Sequence, residues 1–190
     1  MGIDLSKMRA KQEALLNKGK KSDSDFWKPE EGDQDIRILC PPDGDPFKEF
    51  HFHYLEKRGR KTTILCPKRN YGEECPICEF ASMLWRDSVE ANDFDGKKLA
   101  KSMFVKQRYF APVVVRGEED KGVRAWGFGK NAYEDLIGMV LNPEYGDITD
   151  IEDGTDLNLK YKKGNGKDEF AKTKLQARRN TSPLCNDENG

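Results

Sequence analysis

No stretch of the 190-residue chain is apolar over the roughly 20 residues that a membrane span requires. The N-terminal "MGIDLSKMRAKQEALL" lacks the apolar core of a signal peptide, and it fits the myristoylation pattern only loosely. The chain is therefore expected in a reducing cytoplasm, away from membranes. Histidine is scarce, with His51 and His53 alone, and there is neither a phosphate-binding glycine loop nor a G-x-S-x-G nucleophile turn. No catalytic set can be assembled, so an enzyme is not expected. Net charge is also missing: 33 basic side chains face 34 acidic ones.

That balance conceals a block pattern. Residues 1–21 hold six basic and two acidic side chains, and residues 22–50 hold three and nine. Residues 101–130 hold seven and three, residues 131–158 none and eight, and residues 159–190 eight and four. A polyanion senses charge only within about a Debye length, so a basic groove is compatible with a sum near zero. The acidic run "DITDIEDGTD" (147–156) lacks calcium-loop spacing and is read as a solvated loop.

Cysteine is scarce as well, yet three of the five residues fall within "CPKRNYGEECPIC" (66–78). In a reducing compartment such crowding favours a metal over a disulfide. Twelve residues separate His53 from Cys66, eight separate Cys66 from Cys75, and two separate Cys75 from Cys78. Three thiolates and one imidazole complete a tetrahedral structural zinc site. A redox C-x-x-C pair would need no third cysteine. His51 is an alternative ligand to His53, since strand alternation points both to one face. Cys40 and Cys185 lie outside the cluster and are read as packed or free thiols.

Periodicity divides the chain. Residues 5–18 read as an amphipathic helix, followed by a linker. "DIRIL" and "FKEFHFHYL" alternate as strands, with Phe50, Phe52 and Tyr54 opposite the two histidines. "TTIL" reads as a strand, and Ile77, Ala81, Leu84 and Trp85 mark a helix that begins within the Cys75–Cys78 pair. "KSMFVKQRYFAPVVVR" reads as one long strand in a hairpin with "VRAWGFG". "NAYEDLIGMVL" reads as a helix with Tyr133, Leu136, Ile137 and Val140 inward, and a second hairpin closes the chain. The sum is a mainly β, α+β fold, a small β-barrel of oligonucleotide-binding type with inserts.

The order His53, Cys66, Cys75, Cys78 resembles the zinc site of the T-even-type bacteriophage single-stranded DNA-binding proteins, the helix-destabilising replication proteins. The middle gap is one residue shorter here than in the family pattern. "DIRILCPPDGDPF", "KQRYFAPVVVR", "RAWGFGKNAYEDLIGMV" and "LKYKKGNGKDEFAKTKL" are similar to further family segments, in the family's order and over about residues 25–185. The resemblance implies an oligonucleotide-binding (OB) core over 22–185 with a zinc subdomain at about 50–80. It also implies a basic N-terminal arm over 1–21 that joins protomers along DNA. Residues 186–190 match the start of an acidic tail that recruits replication and recombination proteins. Two features depart from the family pattern: the arm has only "SKMRAK" in place of the usual basic motif, and "CNDENG" supplies at most the start of the long acidic tail.

The implied function is sequence-non-specific, cooperative coating of single-stranded DNA in phage replication, recombination and repair, inside the host cytoplasm. An RNA-binding translational regulator and a zinc-ribbon protein adaptor are the rival readings. Single-strand binders join cationic grooves to aromatic platforms. Alternation in "FVKQRYF" puts Phe104, Lys106, Arg108 and Phe110 on one side, and in "RAWGF" Arg124, Trp126 and Phe128. The expected DNA-binding set is Lys106, Arg108, Tyr109, Phe110, Arg124, Trp126, Lys130 and Phe170. Tyr109 enters through the family resemblance, with a bulge near Pro112 required to turn it. Phe170, Lys172 and Lys174 repeat the basic-aromatic pattern in the last hairpin, with Lys160 and Lys162 across its turn.

Overall fold

The computed structural model describes residues 26–57, 59–165 and 170–185, together with Arg9 and Gln12. The expected N-terminal helix, most of the basic arm and the acidic terminus lie outside the described residues. The elements run β1 (Phe26–Trp27), β2 (Gly32–Ile38), β3 (Lys48–Lys57), β4 (Arg60–Leu65), α1 (Pro67–Tyr71), α2 (Pro76–Glu90), α3 (Phe94–Met103) and β5 (Lys106–Val115). A 3-10 turn (Glu119–Lys121), β6 (Arg124–Phe128), α4 (Lys130–Val140), β7 (Thr155–Lys162) and β8 (Lys172–Thr181) complete the chain.

One sheet, ordered β1-β6-β5-β2-β7-β8, organises them, and β3 also pairs with β5 and carries β4 on its far side. The pairs are antiparallel except β1 with β6. The ten residues of β5 serve three neighbours: 106–110 face β3, 113–115 face β2, and 109–113 face β6 on the other edge. Strands dominate and helices are few, as expected. The sheet does not close into a barrel among the described residues, because β6 and β8 do not pair.

The core lies on one side of the sheet, built from Ile36, Ile38, Val113, Trp126, Leu157 and Leu159, with Ala132 and Leu136 of α4 packed over them. Tyr133 and Ile137 join its margin, but Val140, expected inward, is exposed. Apolar burial of this kind is the main driving force for folding.

Two segments differ from their expected form. The long strand expected from Lys101 begins only at Lys106, because α3 runs through Met103. Asp93 caps α3 by accepting from the Asp95 N–H at 3.0 Å, a sequence signal that outweighs the β-like run after it. Arg37 should face water by alternation, yet it is fully buried. Its Nε donates to Asp156 at 2.9 Å, and its other nitrogens donate to the Asp150 carbonyl and to Ser182. Arg116 donates to the same Asp156 and to the carbonyls of Pro183 and Leu184. These two guanidiniums fasten the acidic loop and the 182–184 segment over the second face of the sheet. Within the loop, Asp150 accepts from the backbone N–H of Glu152 and Asp153, so that carboxylate closes a turn.

Candidate metal centre and nucleic-acid interface

β3 presents His53 on the face turned toward the inserted helices. Cys66 follows β4 directly and precedes Pro67, the first residue of α1; Cys75 precedes Pro76, which opens α2. Proline suits a first helical position because its missing N–H would be unpaired there. Cys78 lies in the first turn of α2, where open backbone N–H groups favour negative charge.

The four side chains converge. His53 Nε2 lies 3.4 Å from Cys75 Sγ and 3.5 Å from Cys78 Sγ, and Cys66 Sγ lies 3.5 Å from Cys78 Sγ. All four ligand atoms fall within 4.8 Å of one another. His53, Cys66 and Cys75 are fully buried. The His53 Nδ1–H donates to the Met103 carbonyl at 2.8 Å, which leaves Nε2 free to ligate. Burial first, and then the Cys66 and Cys75 thiols, push the Cys78 thiol up to about 12. Burial opposes ionisation of Cys75 too, but hydrogen bonds from Cys78, His53 and Cys66 bring it down to about 7. Three neighbouring thiolates need a cation among them. A group of three sulfurs and one imidazole nitrogen could hold one metal ion, and it suits zinc.

His51 is not part of this group. Its Nε2 lies 3.5 Å from Glu49, and its backbone is bracketed by Asn70, which accepts from the His51 N–H and donates to the His51 and Cys66 carbonyls. The contact of His53 with Met103 carries the packed surroundings of the cluster well past residue 80. Cys40 and Cys185 are exposed free thiols.

A groove of about 980 Å³ opens between β1, β5, β6, the start of α4 and the β7–β8 end, and the core residues Trp27, Trp126 and Phe128 back part of it. Among the described lining residues Lys28, Arg108, Lys130, Lys172 and Lys174 are basic and Asp135 is acidic, and Lys130 also pairs with Glu134 at 3.3 Å. Phe26, Tyr54, Phe110 and Tyr161 supply aromatic surface. The first turn of α4 borders the groove, and it holds no acidic side chain. A family model described as gp32 DNA binding protein like matches residues 30–188. The chain belongs to that family. No curated protein matches it.

The expected DNA-binding residues of this gp32-like protein divide by the pleat. In the β5–β6 register Phe110 stands opposite Gly127, while Tyr109, Ala111 and Val113 stand opposite Phe128, Trp126 and Arg124. The first pair faces the groove and the other three face the core. Phe110, Arg108 and Lys130 therefore meet at the groove, and Lys106 reaches its rim with Nζ 5.8 Å from the Tyr54 ring. Phe170 is 90% exposed and leads into Ala171, where the groove ends.

Three residues turn inward, although Trp126 still backs the groove. Trp126 is 1% exposed and packs 4.4 Å from the Phe128 ring. Tyr109 is 5% exposed and stacks on Tyr133 at 3.9 Å, since the register runs past Pro112 without the bulge that would have turned it. Arg124 shares their face and is held by Glu118 at 2.5 Å. Phe104 is likewise outside the strand, capping α3 and packing on Trp85.

The sequence reading passed over Phe26, Lys28 and Gly127. β1 is only two residues long and follows a charged linker, so no periodicity marked it. Gly127 has a definite purpose: a Cβ there would stand 2.8 Å from the Phe110 ring, which packs against the bare backbone. Gly127→Ala is expected to tilt that ring and to weaken binding of an oligo-dT by about fivefold, roughly one kcal/mol of a base stack. Fluorescence anisotropy would read the loss, with an unchanged thermal midpoint as the control.

Proposed function

We propose that this gp32-like protein binds single-stranded DNA without sequence preference, through the groove lined by Arg108, Phe110 and Lys130 and flanked by Lys106 and Phe170. The observation that carries the reading is the interleaving of cations and open aromatic rings along one sheet face. Phosphates require the charge, and every base offers a π-face to the rings. Among the described lining residues, Asn131 and Thr173 are the uncharged polar side chains besides the tyrosines, and so sparse a set of donors and acceptors favours sequence tolerance.

Several finer points belong to the same reading. The ion at His53, Cys66, Cys75 and Cys78 is zinc, one per chain, with a structural task. The sheet is an oligonucleotide-binding fold: β2 lies between β5 and β7, and α4 joins the third and fourth strands of the set. The segment from β3 to α3 is then an insert between its first two strands. Residues 1–21 join neighbouring protomers along the strand, and an acidic terminus meets replication and recombination proteins. The setting is phage DNA metabolism in the host cytoplasm; no described helix is long and apolar enough to cross a membrane.

One titration tests the core of this. Oligo-dT is expected to bind far more tightly than a duplex of equal length or a matched RNA, with affinity falling as salt rises. Long poly-dT is expected to bind more tightly than a one-site oligomer, and deletion of residues 1–21 to remove most of that difference. Preference for RNA would favour a translational regulator, and indifference to every nucleic acid would favour a protein adaptor.

A further inference from the structure

The β3–β4 hairpin carries an aromatic row that the groove does not account for. Phe50, Phe52 and Tyr54 stand on the face of β3 opposite His53, with successive ring centroids 6.4 and 6.3 Å apart. Phe110 joins the row at 5.8 Å from Phe50 and 6.0 Å from Phe52, and Phe26 lies 6.0 Å beyond Phe110. Phe50 and Tyr54 are 37% and 38% exposed, and Phe26 55%. A contiguous aromatic patch open to water marks an interaction site on a soluble domain.

Cations are woven into this row by register. Arg108 pairs with Phe50 across the strands, and Lys106 pairs with Phe52. On the β4 side Lys61 stands opposite Glu56, and Thr63 opposite Tyr54. A polyanion with flat bases uses both the rings and the cations, whereas an apolar protein surface would have to bury the cations unpaired. Tyr54, Phe110 and Phe26 border both the row and the groove, which makes the two surfaces continuous.

We propose that Phe50, Phe52 and Tyr54, flanked by Lys106 and Arg108, form a second base-stacking track that leads single-stranded nucleic acid out of the groove and across the hairpin. This rests on the single-strand reading above. The track adds length to the site, so its contribution grows with the oligomer until the hairpin is covered.

The test is a dT-length series with the parent and with Phe50→Leu/Phe52→Leu, which keeps apolar bulk, removes two π-faces and leaves the groove lining intact. The parent is expected to gain affinity as the oligomer lengthens past the groove. The variant is expected to lose at least about fivefold per ring on the longer oligomers and little on the shortest. Equal affinity of parent and variant at every length overturns the track, leaves the single-strand reading standing, and hands the row to a protein partner. A parent that binds no dT oligomer overturns the single-strand reading itself. Photocrosslinking of the parent to dT carrying one 5-iodouracil needs no variant to fold. Crosslinks at Phe50 or Phe52 are expected, and crosslinks confined to groove residues, Tyr54 included, overturn the track.

Discussion

Cys75→Ser is expected to lose the bound metal entirely and to open the segment from β3 to α3 to protease. Cys75 is fully buried, and it links α2 to His53 on β3. A serine oxygen there is a poor partner for a zinc-type ion. Structural zinc contributes on the order of 10 kcal/mol to small domains at neutral pH, and that energy is folding energy. The loss should stay local, because the main core of β2, β5, β6, β7 and α4 contains none of the four ligands. Elemental analysis should fall from one metal per chain to none. New tryptic cuts should map between residues 50 and 103, while circular dichroism keeps most of its β signal. His51→Ala, outside the cluster, should keep its metal. A purified, reduced parent without metal would remove the claim.

Trp126→Ala is expected to cost about 3–5 kcal/mol of stability, as large-to-small changes in a packed core do. The indole packs edge to face with Trp27 at 6.1 Å and lies against Phe128. Its removal leaves a cavity between β1, β6 and α4 that neighbouring rings cannot fill. The urea midpoint should drop sharply, and at low urea the folded protein should still bind oligo-dT. Phe110→Leu should do the reverse, with a midpoint near the parent's and weaker binding. An unchanged midpoint for Trp126→Ala would mean that the core assignment of β6 is wrong.

These two variants also mark what sequence can and cannot disclose. The metal cluster was legible because its ligand types are rare in this chain and their spacing is distinctive. Alternation correctly divided Phe50, Phe52 and Tyr54 from His51 and His53. In β6 it correctly grouped Arg124, Trp126 and Phe128. It could not say which face of β6 was the core, because that depends on α4 and on β1, which reach it from elsewhere in the chain. Tyr109 failed for a related reason: its aromatic character suited a stacking role, but an uninterrupted pleat fixed its direction. Arg37 was hidden because a buried arginine looks like an exposed one until Asp156, 119 positions away, is seen beside it. Gly127 gave no signal at all, since its value lies in the ring that rests on it.

β3 has one consequence that neither face displays alone. His53 enters the cluster between Phe52 and Tyr54, and the Cys66 N–H donates to the His51 carbonyl at 2.9 Å. Alternate side chains on five consecutive residues thus share a single set of backbone torsions. The rings keep their own side-chain torsions, but their Cα–Cβ bonds cannot be re-aimed without moving the strand that holds His53. Order at the four ligand atoms and order in the backbone beneath the aromatic row are therefore coupled.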